Sequence, residues 1–276
     1  MSGKKAALAL LILTAIVTAA ALLLPRLPQP QSYHDFADQR SWLGVPNFGN
    51  VISNIAFAII GLFGLKLIFG SVRPGEPRVF VDSREKWPYA VMCFGLFLTA
   101  FGSAYYHLAP DNTRLVWDRL PMTIVFAALV AALIAERISL AAGLWLLPVL
   151  LAIGGWSVFQ WWQSELRGAG DLRFYVAVQA YAVLVVLLML VVPGHYTRRY
   201  DFGFAVGFYL LAKILETFDR QVFVVRHIVS GHTLKHLAAA AGGWWILRMI
   251  SLRRPILVNI NDAPTRDAAH KAQTVP

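Results

Sequence analysis

Two histidines, His232 and His236, stand four residues apart at the start of a long apolar stretch near the carboxyl end of the chain. On an α-helix this spacing puts both imidazoles on one face, about 6 Å apart along the axis. Neutral imidazoles in this arrangement can bind one metal ion. The alternative is that one histidine lies at a membrane interface and the other packs in the core. A membrane interior favours the metal, because polar side chains are costly in lipid and are usually functional.

The composition is that of a protein embedded in lipid. Of the 276 residues, 58% are hydrophobic and only 14% are charged, whereas a soluble domain carries roughly a quarter charged residues. The apolar residues form runs of about 18 to 22, the length at which a helix crosses a bilayer. The single cysteine, Cys93, excludes disulfides and cysteine-based zinc sites. The net charge of +10 is spread over short loops, so it reflects membrane topology and not nucleic-acid binding.

These runs predict an all-α integral membrane protein, a seven-transmembrane-helix bundle preceded by one extra N-terminal transmembrane helix. The predicted spans are residues 6–24, 48–69, 87–107, 117–137, 144–162, 172–192, 202–218 and 232–250. The predicted parts are a signal-like or anchor span over 1–26, a polar outer segment over 27–46, the seven-span core over 47–252 and a disordered cytoplasmic tail over 253–276.

The loop charges predict the orientation of the spans. Basic residues are more numerous on the side of the N-terminus, which places both termini in the cytoplasm. His107 then ends the third span at its outer side, and Asp118 begins the fourth at the same level. His232 and His236 begin the last span there, so four polar residues share one layer. The basic start of the chain is compatible with a bacterial inner membrane.

This layer has the residue types that metal-assisted hydrolysis requires. Three imidazoles around zinc leave a fourth position for water, as in catalytic sites. The metal lowers the pKa of that water toward 7 and polarises a carbonyl oxygen. Asp118 can take the proton of the water and return it to the leaving amine. Ser103, one helical turn before His107, can hydrogen-bond the carbonyl oxygen or the water.

Each of these residues also has a structural interpretation. Ser103 lies in a run of small residues that would let two helices approach closely. Asp118 would be stabilised near the N-terminus of a helix by the helix dipole. Tyr105, Tyr106 and Trp117 are interpreted as interfacial anchors and not as lipid-recognition residues. The site interpretation is preferred because the polar residues converge.

Further charges lie inside the predicted spans. Lys213, Glu216 and Asp219 are three residues apart, and Lys213 and Glu216 are expected to form a structural ion pair. A role of Glu216 or Asp219 in binding a lipid headgroup is the alternative. Lys235 is predicted to point away from His236 and to reach the membrane interface.

The motifs resemble those of a known enzyme family. Gly102-Ser103-Ala104-Tyr105-Tyr106-His107, then Asp118, then Gly231-His232-x-x-x-His236 are similar to the three signature motifs of the alkaline ceramidases. That family belongs to a superfamily of seven-span membrane hydrolases that includes adiponectin-receptor-like and GPI-remodelling proteins. The resemblance covers roughly residues 33–252.

The resemblance implies roles for five residues. His107, His232 and His236 would bind zinc, Asp118 would be the acid/base, and Ser103 would assist at the substrate carbonyl. The implied reaction is hydrolysis of the amide bond of a membrane lipid such as ceramide, giving a fatty acid and a sphingoid base.

The resemblance also implies a calcium site just before the first core span. The corresponding segment offers oxygen atoms of Asp35, Asp38, Asn47 and Asn50, and oxygen is the ligand that calcium prefers. This segment is less acidic than that of the family.

Two alternative functions remain open. A lipid esterase or phospholipase of the same superfamily would use the same metal and the same attack by water. A receptor or transporter would hold a structural metal, and a long ligand-binding loop or a large soluble region would then be expected. The sequence shows neither feature, and it indicates no protein partner.

Overall fold

The computed structural model describes residues 1, 3–70 and 79–256, and these form α-helices joined by short connections. Two 3-10 helices, Gln31–His34 and Ser83–Glu85, accompany them. In chain order the α-helices are α1 (Gly3–Leu23), α2 (Phe48–Ile52), α3 (Ile55–Phe69), α4 (Lys86–Leu108), α5 (Asn112–Arg137), α6 (Leu140–Leu166), α7 (Arg173–Leu190), α8 (Asp201–Thr217), α9 (Asp219–Arg226) and α10 (Gly231–Leu252).

The helices have the lengths that a membrane bundle requires. Six helical stretches of the described residues are long and apolar enough to cross a membrane: α1, α2 together with α3, and each helix from α4 to α7. The other two predicted spans, α8 and α10, are 17 and 22 residues long and pack against each other in the same bundle. The predicted all-α membrane bundle with an extra N-terminal span is therefore confirmed.

Six helices close a ring around the centre of the bundle. The order around the ring is α3, α4, α5, α7, α8 and α10, and α10 packs back against α3. Helix α6 packs outside this ring on α5 and α7, and α1 packs along α7. A hydrogen bond of 2.9 Å between the hydroxyls of Thr14 and Tyr181 joins α1 to α7. The extra span thus lies outside the seven-helix core.

A close approach of α4 and α5 places Ser103 beside the start of α5. Pro121 has no backbone N–H, so the carbonyl oxygen of Trp117 loses its partner within the helix. Gly102 of α4 lies against this oxygen, and a Cβ atom on Gly102 would lie only 2.0 Å from it. Only glycine fits at this position, and the contact fixes the adjacent Ser103 at the α4–α5 interface.

The second predicted span is broken between α2 and α3. The side-chain amide of Asn54 donates a hydrogen bond of 2.7 Å to the carbonyl oxygen of Asn50, and the Ser53 hydroxyl donates one of 3.1 Å to the same oxygen. Such side-chain donors compete with backbone N–H groups for carbonyl oxygens and interrupt helices. The break leaves the Ser53 hydroxyl facing α10.

The segment 27–46, here termed the cap segment, covers the end of the bundle where α4 ends and α10 begins. The imidazole of His34 lies 2.9 Å from the Tyr106 hydroxyl and 2.9 Å from the side-chain oxygen of Asn112. The guanidinium of Arg40 donates hydrogen bonds to two carbonyl oxygens of the α9–α10 connection, at 2.6 and 2.7 Å. These contacts hold the cap segment over the helix ends.

The cap segment also corrects one of the predicted aromatic anchors. Tyr105 and Trp117 are 45% and 54% exposed, as expected of interfacial residues. Tyr106 is only 1% exposed, because the cap segment covers its ring and His34 bonds its hydroxyl. Tyr106 is therefore part of the core and not an anchor.

A buried ion pair lies at the opposite end of the bundle. Arg253 and Glu136 form this pair with side chains that are 0% and 3% exposed. The Tyr89 hydroxyl donates a hydrogen bond of 2.9 Å to Glu136, and the Arg253 guanidinium stacks on the Tyr196 ring at 3.9 Å. Removing one partner of a buried ion pair costs about 3–5 kcal/mol, so this contact holds the end of α10 in place.

The same ion pair corrects the predicted start of the disordered tail. The Arg253 side chain is buried, and the backbone of residues 254–256 pairs with residues 195–197, where Pro255 and Tyr196 form an isolated β-bridge. Disorder therefore does not begin at Arg253, because the guanidinium finds a carboxylate inside the bundle. The rest of the predicted tail, 257–276, lies outside the described residues.

Candidate metal centre

The three predicted histidines meet in one buried cluster. His107 lies in the last turn of α4, and His232 and His236 lie in the first turns of α10. One ring nitrogen of each residue lies within 4.8 Å of the others, and the three residues are 0%, 3% and 4% exposed. The Nε2 atoms of His107 and His232 are 3.3 Å apart. This cluster can hold a metal ion.

The N-terminus of α10 is fixed by side chains that its sequence and α9 supply. The Ser230 hydroxyl caps the helix by accepting a hydrogen bond of 3.1 Å from the backbone N–H of Thr233. Gly231 lies so close to α8 that a Cβ atom would meet a carbonyl oxygen at 2.2 Å. Asp219 accepts a hydrogen bond of 2.7 Å from the backbone N–H of His232. The first turn of α10, and with it His232, therefore has a defined position.

The carboxylate of Asp219 binds the backbone of two segments, the start of α10 and the cap segment. One carboxylate oxygen binds the N–H of His232, and the other accepts a hydrogen bond of 2.9 Å from the N–H of Ala37 in the cap segment. A carboxylate at the start of a helix is also favoured by the helix dipole. This geometry favours a structural role of Asp219 over the headgroup alternative.

A hydrogen-bond chain orients the ring of His236. The Ser53 hydroxyl lies 3.1 Å from the carbonyl oxygen of Asn50 and 2.8 Å from Nδ1 of His236. When the hydroxyl donates its one hydrogen to Asn50, Nδ1 carries the hydrogen of the second bond, and Nε2 is left unprotonated for a metal. A hydrogen bond of this kind to the second nitrogen is usual for metal-binding histidines.

Phe36 of the cap segment closes the cluster from outside the bundle. The centroid of its ring lies 4.7 Å from that of His107 and 4.4 Å from that of His232. Phe36 is 3% exposed and therefore separates the two imidazoles from the surrounding water. Phe36 is not among the residues predicted from the sequence, where it is one of three aromatic residues in the polar segment and has no distinguishing spacing.

The residues of the predicted calcium site have other partners. Asp35 forms an ion pair of 2.9 Å with Arg220, and Asp38 forms one of 2.8 Å with Arg40. The hydrogen bond from Arg40 lowers the pKa of the Asp38 carboxyl below its usual value. The side-chain amide of Asn47 donates a hydrogen bond of 2.9 Å to the carbonyl oxygen of His107. Guanidinium groups beside both carboxylates disfavour calcium, and the calcium site stays a prediction.

A cavity of about 330 Å³ lies inside the ring of helices beside the cluster. His236, Asp118 and Ser103 line it together, and Asp118 and Ser103 interact across the α4–α5 interface. Most of the remaining wall is apolar and comes from all six helices of the ring, with Met92, Leu129 and Val186 among the lining residues. The two predicted catalytic residues and one predicted metal ligand thus face the same space.

Charged residues of α8 and α10 line the same cavity and form a compact group. Glu216 forms the predicted ion pair with Lys213. Lys235 is placed differently from the prediction: its Nζ atom lies 2.6 Å from Glu216, it lines the cavity, and its side chain is only 15% exposed. The attraction of a buried carboxylate outweighs hydration at the interface. The Tyr33 hydroxyl also donates a hydrogen bond of 3.0 Å to Glu216.

Arg119 is a further cavity residue that the sequence analysis does not identify. An arginine at the predicted outer end of a span looks like an interfacial charge, and only the fold shows that it is 4% exposed.

The chain matches no protein-family model and no curated protein. The chemistry of this centre is therefore inferred from its own side chains.

Replacement of Ser53 by alanine is expected to weaken zinc binding by about 10- to 100-fold, because His236 loses the hydrogen bond that orients its ring. The measurement is competition with a chelator on the purified full-length protein. Ser157→Ala is the matched control, since Ser157 is also buried and bonds a backbone oxygen three residues earlier, at 2.7 Å. Equal affinities of Ser53→Ala and the wild type would contradict the proposed role of Ser53.

Proposed function

We propose that the protein is a zinc-dependent hydrolase that cleaves an amide bond in a membrane lipid, as the resemblance to the alkaline ceramidases implies. The observation that carries this proposal is the buried three-histidine cluster, which meets an apolar cavity where Asp118 and Ser103 lie side by side. The cavity lies within a bundle of membrane-spanning helices and has a mostly apolar wall, which supports a lipid as its ligand.

The donor type of the cluster suits zinc, and one of its nitrogen pairs has the spacing of two zinc ligands, whereas the three nitrogens together span up to 4.8 Å. Two nitrogens that bind one tetrahedral zinc ion, each at about 2.05 Å, are about 3.3 Å apart. The Nε2 atoms of His107 and His232 are separated by 3.3 Å. Three neutral imidazoles would leave the fourth position of a tetrahedral zinc ion free for a water molecule. The metal would make this water more acidic and would polarise a carbonyl oxygen.

Asp118 is the acid/base of this proposal. Its carboxylate lines the cavity and is buried, so a proton that it accepts from the attacking water is not lost to solvent. An amine leaves from an amide only after its nitrogen is protonated, and the same carboxyl oxygen can deliver that proton. Asp118 therefore moves one proton from the water to the leaving nitrogen.

Ser103 is proposed to stabilise the substrate carbonyl. It lies one helical turn before His107 and is 1% exposed, and its hydroxyl faces the cavity together with Asp118. The hydroxyl has one hydrogen and donates it to Asp118 in this structure, so it would turn to the carbonyl oxygen once Asp118 has taken the proton of the water. A donor there gains strength as negative charge develops on the carbonyl oxygen during attack. The apolar wall that extends from α4 across α5 and α7 would hold the acyl chain.

Incubation of the zinc-loaded protein with matched lipids tests this function. An N-acyl sphingoid base and a diacyl phospholipid with the same acyl chain are compared, and released sphingoid base and fatty acid are measured by mass spectrometry. We expect cleavage of the amide, with kcat lowered about 10²- to 10⁴-fold in Asp118→Asn because proton transfer is lost.

The control for this assay is Ser157→Ala, which leaves the cavity intact. Cleavage of the phospholipid ester without cleavage of the amide would establish the esterase or phospholipase alternative instead. A zinc-loaded protein that cleaves neither lipid would contradict the hydrolase proposal.

We also propose that both termini lie in the cytoplasm of a bacterial cell and that the histidine layer faces the outer side of the inner membrane. The support is the excess of basic residues on the N-terminal side. Reporter fusions after Pro110 and after Pro193 are expected to be active on the outer and the cytoplasmic side, respectively. Activity of both reporters on one side, or the reverse assignment, would overturn this orientation.

A further inference from the structure

Arg119 is a cation buried in the wall of the cavity. It is 4% exposed and lies in α5 directly after Asp118. Its guanidinium stacks on the ring of Trp161 at 4.0 Å and on that of Tyr175 at 4.8 Å. Two aromatic rings therefore lie against the guanidinium, and cation–π attraction offsets part of the hydration that it loses.

The N–H groups at the edge of this guanidinium are only partly used. Nη2 of Arg119 donates a hydrogen bond to the side-chain oxygen of Gln29 in the cap segment. Nη1 is buried and has no hydrogen-bond partner among the described residues. A buried donor without a partner is costly, and here it belongs to a group that lines a cavity. The geometry therefore points to an acceptor that a ligand would supply.

Arg119 also forms no ion pair within the described part of the chain. No carboxylate of those residues lies within 4.0 Å of its guanidinium. The other two cations of the cavity, Lys213 and Lys235, both pair with Glu216. With Asp118 as the second carboxylate, the cavity carries three cationic and two anionic side chains. Its polar end thus has an excess of positive charge even without a metal.

Arg137 is a second buried arginine that has no carboxylate partner in the part of the chain that the structure describes, and its surroundings differ from those of Arg119. Arg137 is 8% exposed and donates hydrogen bonds to the carbonyl oxygens of Met189 and Val192, at 3.0 and 2.7 Å. It does not line the cavity. Arg137 also has one buried N–H without a partner in the described ranges, Nε, but its Nη1 bonds two backbone acceptors and the residue lies away from the cavity. Arg119 differs in that its unused donor belongs to a residue that lines a ligand-sized space.

We propose that Arg119 binds an oxyanionic group, a phosphate or a carboxylate, that the lipid in the cavity carries. A guanidinium recognises such groups through the N–H groups at its edge, which match the geometry of two oxygen atoms, and one of these donors of Arg119 is left unused by the residues that the structure describes. The preferred substrate would then be an acidic N-acyl lipid and not its neutral counterpart. The identity of the cleaved bond rests on the proposed function, whereas binding of the anion does not.

Two pairs of N-acyl lipids test this inference on the zinc-loaded, full-length protein. Ceramide 1-phosphate is compared with ceramide, and N-acylglycine with N-acylethanolamine, all with one acyl chain. In at least one pair the acidic member is expected to show kcat/KM about tenfold or more above the neutral one. The pair that shows the preference distinguishes phosphate from carboxylate.

Variants of Arg119 test whether this residue causes the preference for the acidic lipid. In Arg119→Gln the ratio within the pair should fall to about one, and Arg119→Lys should restore it in part because the charge returns without the planar fork. Lys213→Gln should keep the ratio, since the charge of Lys213 is already neutralised by Glu216. Equal kcat/KM within both pairs, or a preference that persists in Arg119→Gln, would overturn the inference.

A binding measurement separates this inference from the proposed function. If neither pair is cleaved, competition against a fluorescent phosphatidate still reports on the anion site. Unlabelled phosphatidate should compete about tenfold better than diacylglycerol with the same chains, and this difference should vanish in Arg119→Gln. Equal competition by the two lipids would overturn the inference, and so would full competition by inorganic phosphate, which would show that the bound anion need not belong to a lipid.

Discussion

The constraint on which this structure depends is that a polar group inside a membrane bundle must find its partner within the bundle or on a ligand. Three imidazoles with ring nitrogens within 4.8 Å of one another are difficult to satisfy by themselves. The Nε2 atoms of His107 and His232 face each other at 3.3 Å, and at most one hydrogen can lie between them. A metal ion satisfies all three rings at once, which explains why the cluster can be buried.

The surrounding elements hold this cluster from several sides. Asp219 fixes the first turn of α10, Ser53 fixes the ring of His236, and Phe36 covers the outer face. At the other end of the bundle, the Glu136–Arg253 pair anchors the end of α10. Helix α10 is thus held at both ends, and the two histidines that it carries have little freedom to move. A ligand set that is held in place in this way can hold a metal ion.

Much of the centre can be predicted from the sequence because helical periodicity and loop charge are local properties. The spacing of His232 and His236 gives one shared face, and the span order places His107 and Asp118 in the same layer. The direction of Lys235, the burial of Arg119 and the contact of Phe36 could not be predicted, because each depends on a partner distant in sequence. The break between α2 and α3 at Ser53 has a local cause, but the contact of the Ser53 hydroxyl with His236 forms only because α10 packs beside it.

X-ray absorption at the zinc K-edge of the purified full-length protein tests whether the three histidines bind zinc. We expect one zinc ion per chain with three imidazole nitrogens at about 2.0–2.1 Å and one further oxygen ligand. The imidazole scattering should be lost in His232→Ala together with the bound metal. A protein that retains no zinc after purification and zinc loading, or zinc without imidazole ligands, would contradict the account.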